Sequence, residues 1–163
     1  MLPKTVLSAI NDQIQKEYYS SYLYLAMSAY CEANNLHGAA KWMRIQSQEE
    51  LTHAMKLFDY VTDRDGRVAL KAIAQPPVEY KSALDIFKKA LEHEQFVTAS
   101  IHKLYALSVK ENDYASQIVL QWFVTEQVEE EKNATQIVEQ LKVVGDSKTS
   151  VMLLDRHLAK RGA

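Results

Sequence analysis

Residues 42–61, WMRIQSQEELTHAMKLFDYV, decide the fold. Taken at alternating steps of three and four they give Met43, Gln46, Glu50, His53, Leu57 and Tyr60, which is one face of an α-helix. The face is apolar toward its ends and interrupted near its middle by a carboxylate and an imidazole. Residues three apart on a helix point the same way, so Glu50 and His53 can share one ion. A single E-x-x-H pair arises by chance in many helices, and the rest of the chain must decide its meaning.

Working outward, the chain is punctuated by few breakers. Pro3, Gly38, Gly66, Pro76, Pro77, Gly145 and Gly162 are its only prolines and glycines. They leave stretches 4–37, 39–65 and 78–144 uninterrupted, and Asn34-Asn35 and Asn112-Asp113 supply the turns that divide them further. The expected elements are helices A at about 4–33, B at 37–65, C at 82–111 and D at 114–144, with a short fifth helix E at about 149–160. Ser82-x-x-Asp85 is a cap for C and Gly145 a stop for D. Turns of two or three residues make A–B and C–D antiparallel pairs. The B–C link, from Gly66 to Lys81, carries Pro76-Pro77, which favour extended backbone. Sixteen extended residues reach about 50 Å, more than the roughly 42 Å of helix B. The link can therefore run the length of the bundle and leave B and C parallel. The fold class is all-α, a four-helix bundle with a long B–C crossover, forming one domain over 1–163.

Each of the other long helices has an inward stripe with the same kind of interruption. In A it is Ile10, Ile14, Glu17, Ser21, Tyr24 and Ser28; in C, Phe87, Ala90, Glu94, Val97, Ile101 and Leu104; in D, Val119, Phe123, Gln127, Glu130, Ala134, Ile137 and Leu141. Helices of matched length bring Glu17, Glu50, Glu94 and Glu130 to one level. An ionised carboxylate removed from water costs several kcal/mol, and four together raise one another's pKa values. That sum rivals the stability of a whole domain, about 5–15 kcal/mol. No inward position is Lys or Arg, so bound metal cations are the expected compensation. Oxygen-rich ligation with one imidazole suits iron(II), manganese or zinc, and a Glu from each of two helices beside E-x-x-H is the pattern of di-metal carboxylate bundles.

The bulk properties exclude other classes. A chain of 163 residues with net charge −2 shows no basic excess for nucleic acid. No run approaches the roughly 20 apolar residues of a membrane span. The N-terminus lacks the apolar stretch of a secretory signal, which makes the cytoplasm the expected compartment. Cys31 is the only cysteine, so no disulfide or thiolate cluster forms within the chain; it reads as a small buried apolar residue. His37, His93, His102 and His157 lack partners at ligand spacing. Tyr18, Tyr19, Tyr22 and Tyr30 read as packing residues or as a face for a partner subunit.

Over essentially its whole length the chain resembles the bacterial non-haem ferritins. The resemblance is carried by Glu17-x-x-x-Ser21-x-x-Tyr24, Gln48-Glu49-Glu50-x-x-His53-Ala54, His93-Glu94 and Trp122-Phe123-x-x-Glu126-Gln127-x-x-Glu130. It implies a ferritin-like fold and iron storage with ferroxidase activity, in which iron(II) is oxidised to iron(III) by O2 and deposited inside a hollow shell of 24 subunits. Helix E would line the fourfold axes. One iron would be held by Glu17, Glu50 and His53, and a second by Glu50, Glu94 and Glu130, with Glu50 as bridge. Gln127 would lie near the incoming oxygen and Tyr24 would hydrogen-bond a ligand. The resemblance further implies a third iron at Glu49, Glu126, Glu129 and Glu130, where spacing alone reads an acidic string beside Glu131 as a solvated face. Gln127-x-x-Glu130, in place of a second E-x-x-H, departs from the haem-carrying branch, so no haem is expected. A small di-iron oxidase or peroxidase without a shell is the alternative function.

Overall fold

The computed structural model describes residues 2–145 and 147–162, so the expectations that touch residues 1, 146 and 163 lie outside it. Among the described residues there are five helices and no strand: α1 Lys4–Ala33, α2 His37–Asp63, α3 Ala83–Lys110, α4 Tyr114–Val144 and α5 Lys148–Leu158. The expected elements are all present. α2 stops two residues early because Asp65 takes a positive φ of 55° and Gly66 N returns to the Val61 carbonyl. α3 starts one residue late because Ser82 is its cap, accepting from Asp85 N at 3.1 Å, while Lys81 N donates to the Asp85 carboxylate at 2.9 Å. Asn35 and Asn112 carry the left-handed φ angles of the two tight turns, 58° and 55°. α5 begins and ends slightly earlier than its sequence pattern suggests.

Side-chain contacts fix the topology. Ser28 donates to the Ala40 carbonyl and Ser21 to that of Ser47, so α1 and α2 run antiparallel. Ser100 meets Gln13 and His93 meets Ser20, so α1 and α3 also run antiparallel. It follows that α2 and α3 are parallel. The link from 64 to 82 makes this possible by lying along α1. Asn11 holds its start, bonding the Arg67 carbonyl and the Ala69 N–H, and Tyr30 holds its end through the Tyr80 carbonyl at 2.6 Å.

The bundle interior is apolar at both ends and polar in the middle. One cluster gathers Met27, Cys31, Trp42, Met43, Phe87 and Leu141 with Leu158 of α5. The other gathers Val6, Ile10, Leu57, Ile101, Leu120 and Phe123. Cys31 is fully buried, which pushes its thiol up to about 12. Of the inward stripes, only Ser21, Tyr60 and Val119 are half-buried rather than buried. Tyr60 and Val119 lie at the edges of their stripes, because three-and-four steps only approximate 3.6 residues per turn, whereas Ser21 faces α2 and bonds Ser47.

The fifth helix is bound by an unusual cap. Leu36 precedes α2 and offers no side-chain acceptor. Asp155 of α5 takes that place, accepting from Gly38 N at 2.9 Å and from Ala39 N at 2.8 Å. A carboxylate there answers both the open N–H groups and the positive end of the helix dipole. The approach requires glycine, since a Cβ on residue 38 would stand 1.7 Å from the Asp155 carbonyl oxygen. Asp155→Ala is therefore expected to lower stability by about 1–2 kcal/mol. Gly38→Ala should do more, because α5 must move. Thermal melts with limited proteolysis of the C-terminal segment measure both, and unchanged protection of α5 in Gly38→Ala would contradict the assignment.

Candidate metal centre

Between the two apolar clusters the four helices face one another with polar groups. Glu17, Glu50, His53, Glu94, Gln127 and Glu130 are all buried. Glu17, Glu50 and His53 each offer a ligand atom, and those atoms lie within 4.8 Å of one another. Glu126, Glu130 and His53 form a second such group. The imidazole is shared between them, with Nδ1 at 3.4 Å from Glu50 and Nε2 at 3.9 Å from Glu126. Trp122 and Phe123 pack edge-on against its ring, at 5.3 and 6.1 Å between centroids, and fix its plane.

Burial is the main reason these carboxyls hold their protons. It pushes Glu17, Glu50 and Glu94 up to about 8 and Glu130 up to about 7. Neighbouring charges add to it. Glu50 acts on Glu17 and Glu94, and Glu130 on Glu50, so Glu50 stands at the centre of the group. Glu17 Oε2 is buried with no hydrogen-bond partner. Two carboxylates can only accept, so a proton or a cation must lie between them. Among the described residues no lysine or arginine forms an ion pair with any of the four. An orphaned acceptor beside an imidazole, in an oxygen-rich set, fits a hard or borderline divalent ion.

The remaining partners hold the ligands in place. Tyr24 donates its hydroxyl proton to Glu94 Oε1, and Gln127 Nε2 donates to Glu94 Oε2 at 3.1 Å. Buried beside three carboxylates, the Tyr24 hydroxyl is pushed well above its ordinary range and stays a donor. Four supporting residues were not apparent as site residues from sequence. Gln13 Nε2 donates to Glu17 at 2.7 Å, and its Oε1 accepts from Ser100, which in turn accepts from Lys16. Gln46 Nε2 donates to both Glu50, at 3.0 Å, and Glu130, at 2.8 Å. Gln46 lay on the expected inward stripe; Lys16 and Ser100 lay on none.

The outer acidic residues are dispersed. Glu126 is half-buried and joins His53 and Glu130, whereas Glu129 is exposed. Glu49 forms an ion pair with Arg161 of the C-terminal turn. His93 is half-buried, bonded to Ser20 at 2.7 Å, and burial pulls it down to about 4, so it is a neutral packing group. His37, exposed, pairs with Glu32.

The raised carboxyls predict a pH dependence. Each takes up a proton more readily folded than unfolded, so its stabilising contribution is complete below about 4.5 and is lost as pH rises toward 7–8. Metal-free protein should lose several kcal/mol of stability across that window, and a bound divalent ion should remove most of the loss. Melts of chelator-stripped and zinc-loaded protein at pH 5 to 8 test this. A metal-free profile flat over that window would contradict the burial of ionisable carboxyls.

The chain is similar to known proteins over nearly its whole length. Residues 7–144 match the model of the ferritin-like domain. A bacterial non-heme ferritin of Campylobacter jejuni is 40% identical over 158 residues, 97% of this chain and 95% of that protein. One from Staphylococcus haemolyticus is 38% identical over 161 residues, 99% of this chain and 97% of its own. The structure superimposes on an open pore ferritin from the hyperthermophilic archaeon Archaeoglobus fulgidus with a TM-score of 0.98, at 46% identity over 99% of both chains. With the family model matched over most of the chain and these relatives similar over nearly all of it, the chain belongs to the ferritin family.

Proposed function

We propose that this protein stores iron and oxidises it, taking iron(II) and O2 as substrates at the buried carboxylate centre. The observation that carries the reading is the orphaned Glu17 oxygen beside Glu50 and His53. It is joined by Glu94 and Glu130 from the opposite hairpin, and together they form an oxygen-rich donor set with no lysine or arginine paired to it among the described residues.

In this reading Glu17, Glu50 and His53 hold one iron and Glu50, Glu94 and Glu130 the other. Anionic ligands favour the higher charge, so the centre stabilises iron(III) over iron(II). Two iron(II) ions give up one electron each. Dioxygen takes both electrons and two protons to become hydrogen peroxide, and no free superoxide is released. Gln127 lies against Glu94 and marks the side where oxygen would approach. Tyr24 holds Glu94 in place and is the nearest oxidisable side chain to that ligand. Glu126, with His53 and Glu130, is the best-placed part of a third iron site; Glu49 and Glu129 complete it only after side-chain movement. No group in the reading calls for haem.

Storage needs an enclosed volume, which a single bundle lacks. Homo-oligomerisation is supported by apolar side chains left on the surface: Tyr22, Leu25, Leu70, Ile73 and Val78 along α1 and the link, and Met152 and Leu153 on α5. A shell of 24 chains of 18.6 kDa has a mass of about 450 kDa. Light scattering at physiological salt measures it. A monomer or dimer would remove storage and leave the smaller di-iron oxidase as the surviving reading.

Glu50→Ala should abolish rapid iron oxidation, by about 100-fold or more, since Glu50 serves both ions. Glu17→Ala should cost less and His53→Ala an intermediate amount. Stopped-flow absorbance after mixing iron(II) with aerated protein gives the rates, and wild-type kinetics in Glu50→Ala would overturn the assignment.

A further inference from the structure

Arg161 reaches the metal centre from the turn that follows α5. Leu158 anchors that turn in the core, Lys41 Nζ bonds the Ala159 carbonyl at 2.8 Å, and Gly162, with a φ of 70°, bends the chain over Ile45. The guanidinium lies over the Trp42 ring, 4.2 Å from its centroid. Its Nη2 donates to Gln46 Oε1 at 2.8 Å and to Glu49 Oε2. Gln46 and Glu49 are the residues through which the outer edge of the site meets its interior. Gln46 bonds Glu50 and Glu130, and the Glu49 charge raises the pKa values of both.

We propose that Arg161 is a positioning residue that acts as a tethered counter-cation, occupying Glu49 and orienting Gln46, so that a metal ion takes Glu49 by displacing the Arg161 guanidinium. The inference rests on the reading of the centre as a metal site. A guanidinium has only donors, so Gln46 must present Oε1 to it. The amide NH2 is then directed at Glu50 and Glu130, which keeps a donor on the two carboxylates when they ionise to receive cations. At Glu49 the guanidinium and an arriving ion compete for the same oxygen. The Glu49 side chain is 44% exposed, so the ion pair is weak enough to yield. Arg161 thus competes directly only at the outer position, meets the deeper pair only through Gln46, and leaves that pair as the first to fill.

The test uses zinc, which does not change oxidation state, titrated into chelator-stripped assembled protein. Calorimetry follows binding in wild type, Arg161→Ala and Arg161→Lys. Tryptophan emission is read in a Trp122→Phe background, where Trp42 is the sole tryptophan of the two. The inner steps should be retained in all Arg161 variants, with at most a modest weakening in Arg161→Ala, where Gln46 loses its orienting donor. The last, outer step should tighten by about 2- to 5-fold in Arg161→Ala, the range expected from losing one exposed charge pair, and should stay close to wild type in Arg161→Lys. Trp42 emission should change during the outer step only where Arg161 is present to leave the ring. An outer step of equal affinity in wild type and Arg161→Ala overturns the proposal, and so does the absence of any outer step in both. Loss of the inner steps in wild type would instead bring down the metal reading itself.

Discussion

Four carboxyl groups taken out of water at one level are the constraint on which the rest of this molecule depends. Glu17, Glu50, Glu94 and Glu130 each come from a different helix. None can be relieved by rotating to solvent, because each is buried. Every nearby polar feature answers that problem. Gln13 and Gln46 present amide N–H groups, Tyr24 and Gln127 share Glu94, and the one imidazole sits between two carboxylate groups. The residual deficit is a buried oxygen without a donor, a place a cation could fill.

Such a layer is tolerated because apolar packing outweighs it. A buried Leu, Ile or Phe contributes about 1.5–3 kcal/mol, and two clusters of such residues lie on either side of the polar layer. Each protonated carboxyl costs far less than an ionised one, so the metal-free protein keeps its fold by holding protons. Proton and metal ion are alternative occupants of the same place.

Much of this was legible in the sequence because it is local. Three-and-four spacing marks Glu17, Glu50, His53, Glu94, Gln127 and Glu130 as inward, and a few glycines, prolines and asparagines mark the ends of the helices. Helix ends differed where a cap or a left-handed residue, Ser82 or Asp65, decides the boundary within one or two positions. The supports were not legible. Lys16 and Ser100 lie 84 residues apart, Arg161 and Glu49 112 apart, and Asp155 and Gly38 117 apart. Nothing in the spacing of one helix reports a partner at such a distance. Glu49, Glu126 and Glu129 were also ambiguous, since a helix surface with several acids reads the same whether it is solvated or ligating; the structure separates them by burial and partner.

The extended link along α1 divides the chain into two hairpins, α1–α2 and α3–α4, joined by a strap that crosses the whole bundle. The first carries Glu17, Glu50 and His53, the second Glu94, Gln127 and Glu130. While the hairpins are apart, their carboxylates face water and titrate as ordinary acids. Bringing them together dehydrates all four, so closing the bundle is linked to the uptake of protons or metal ions. The closed bundle is in this way coupled to the supply of protons and cations around it.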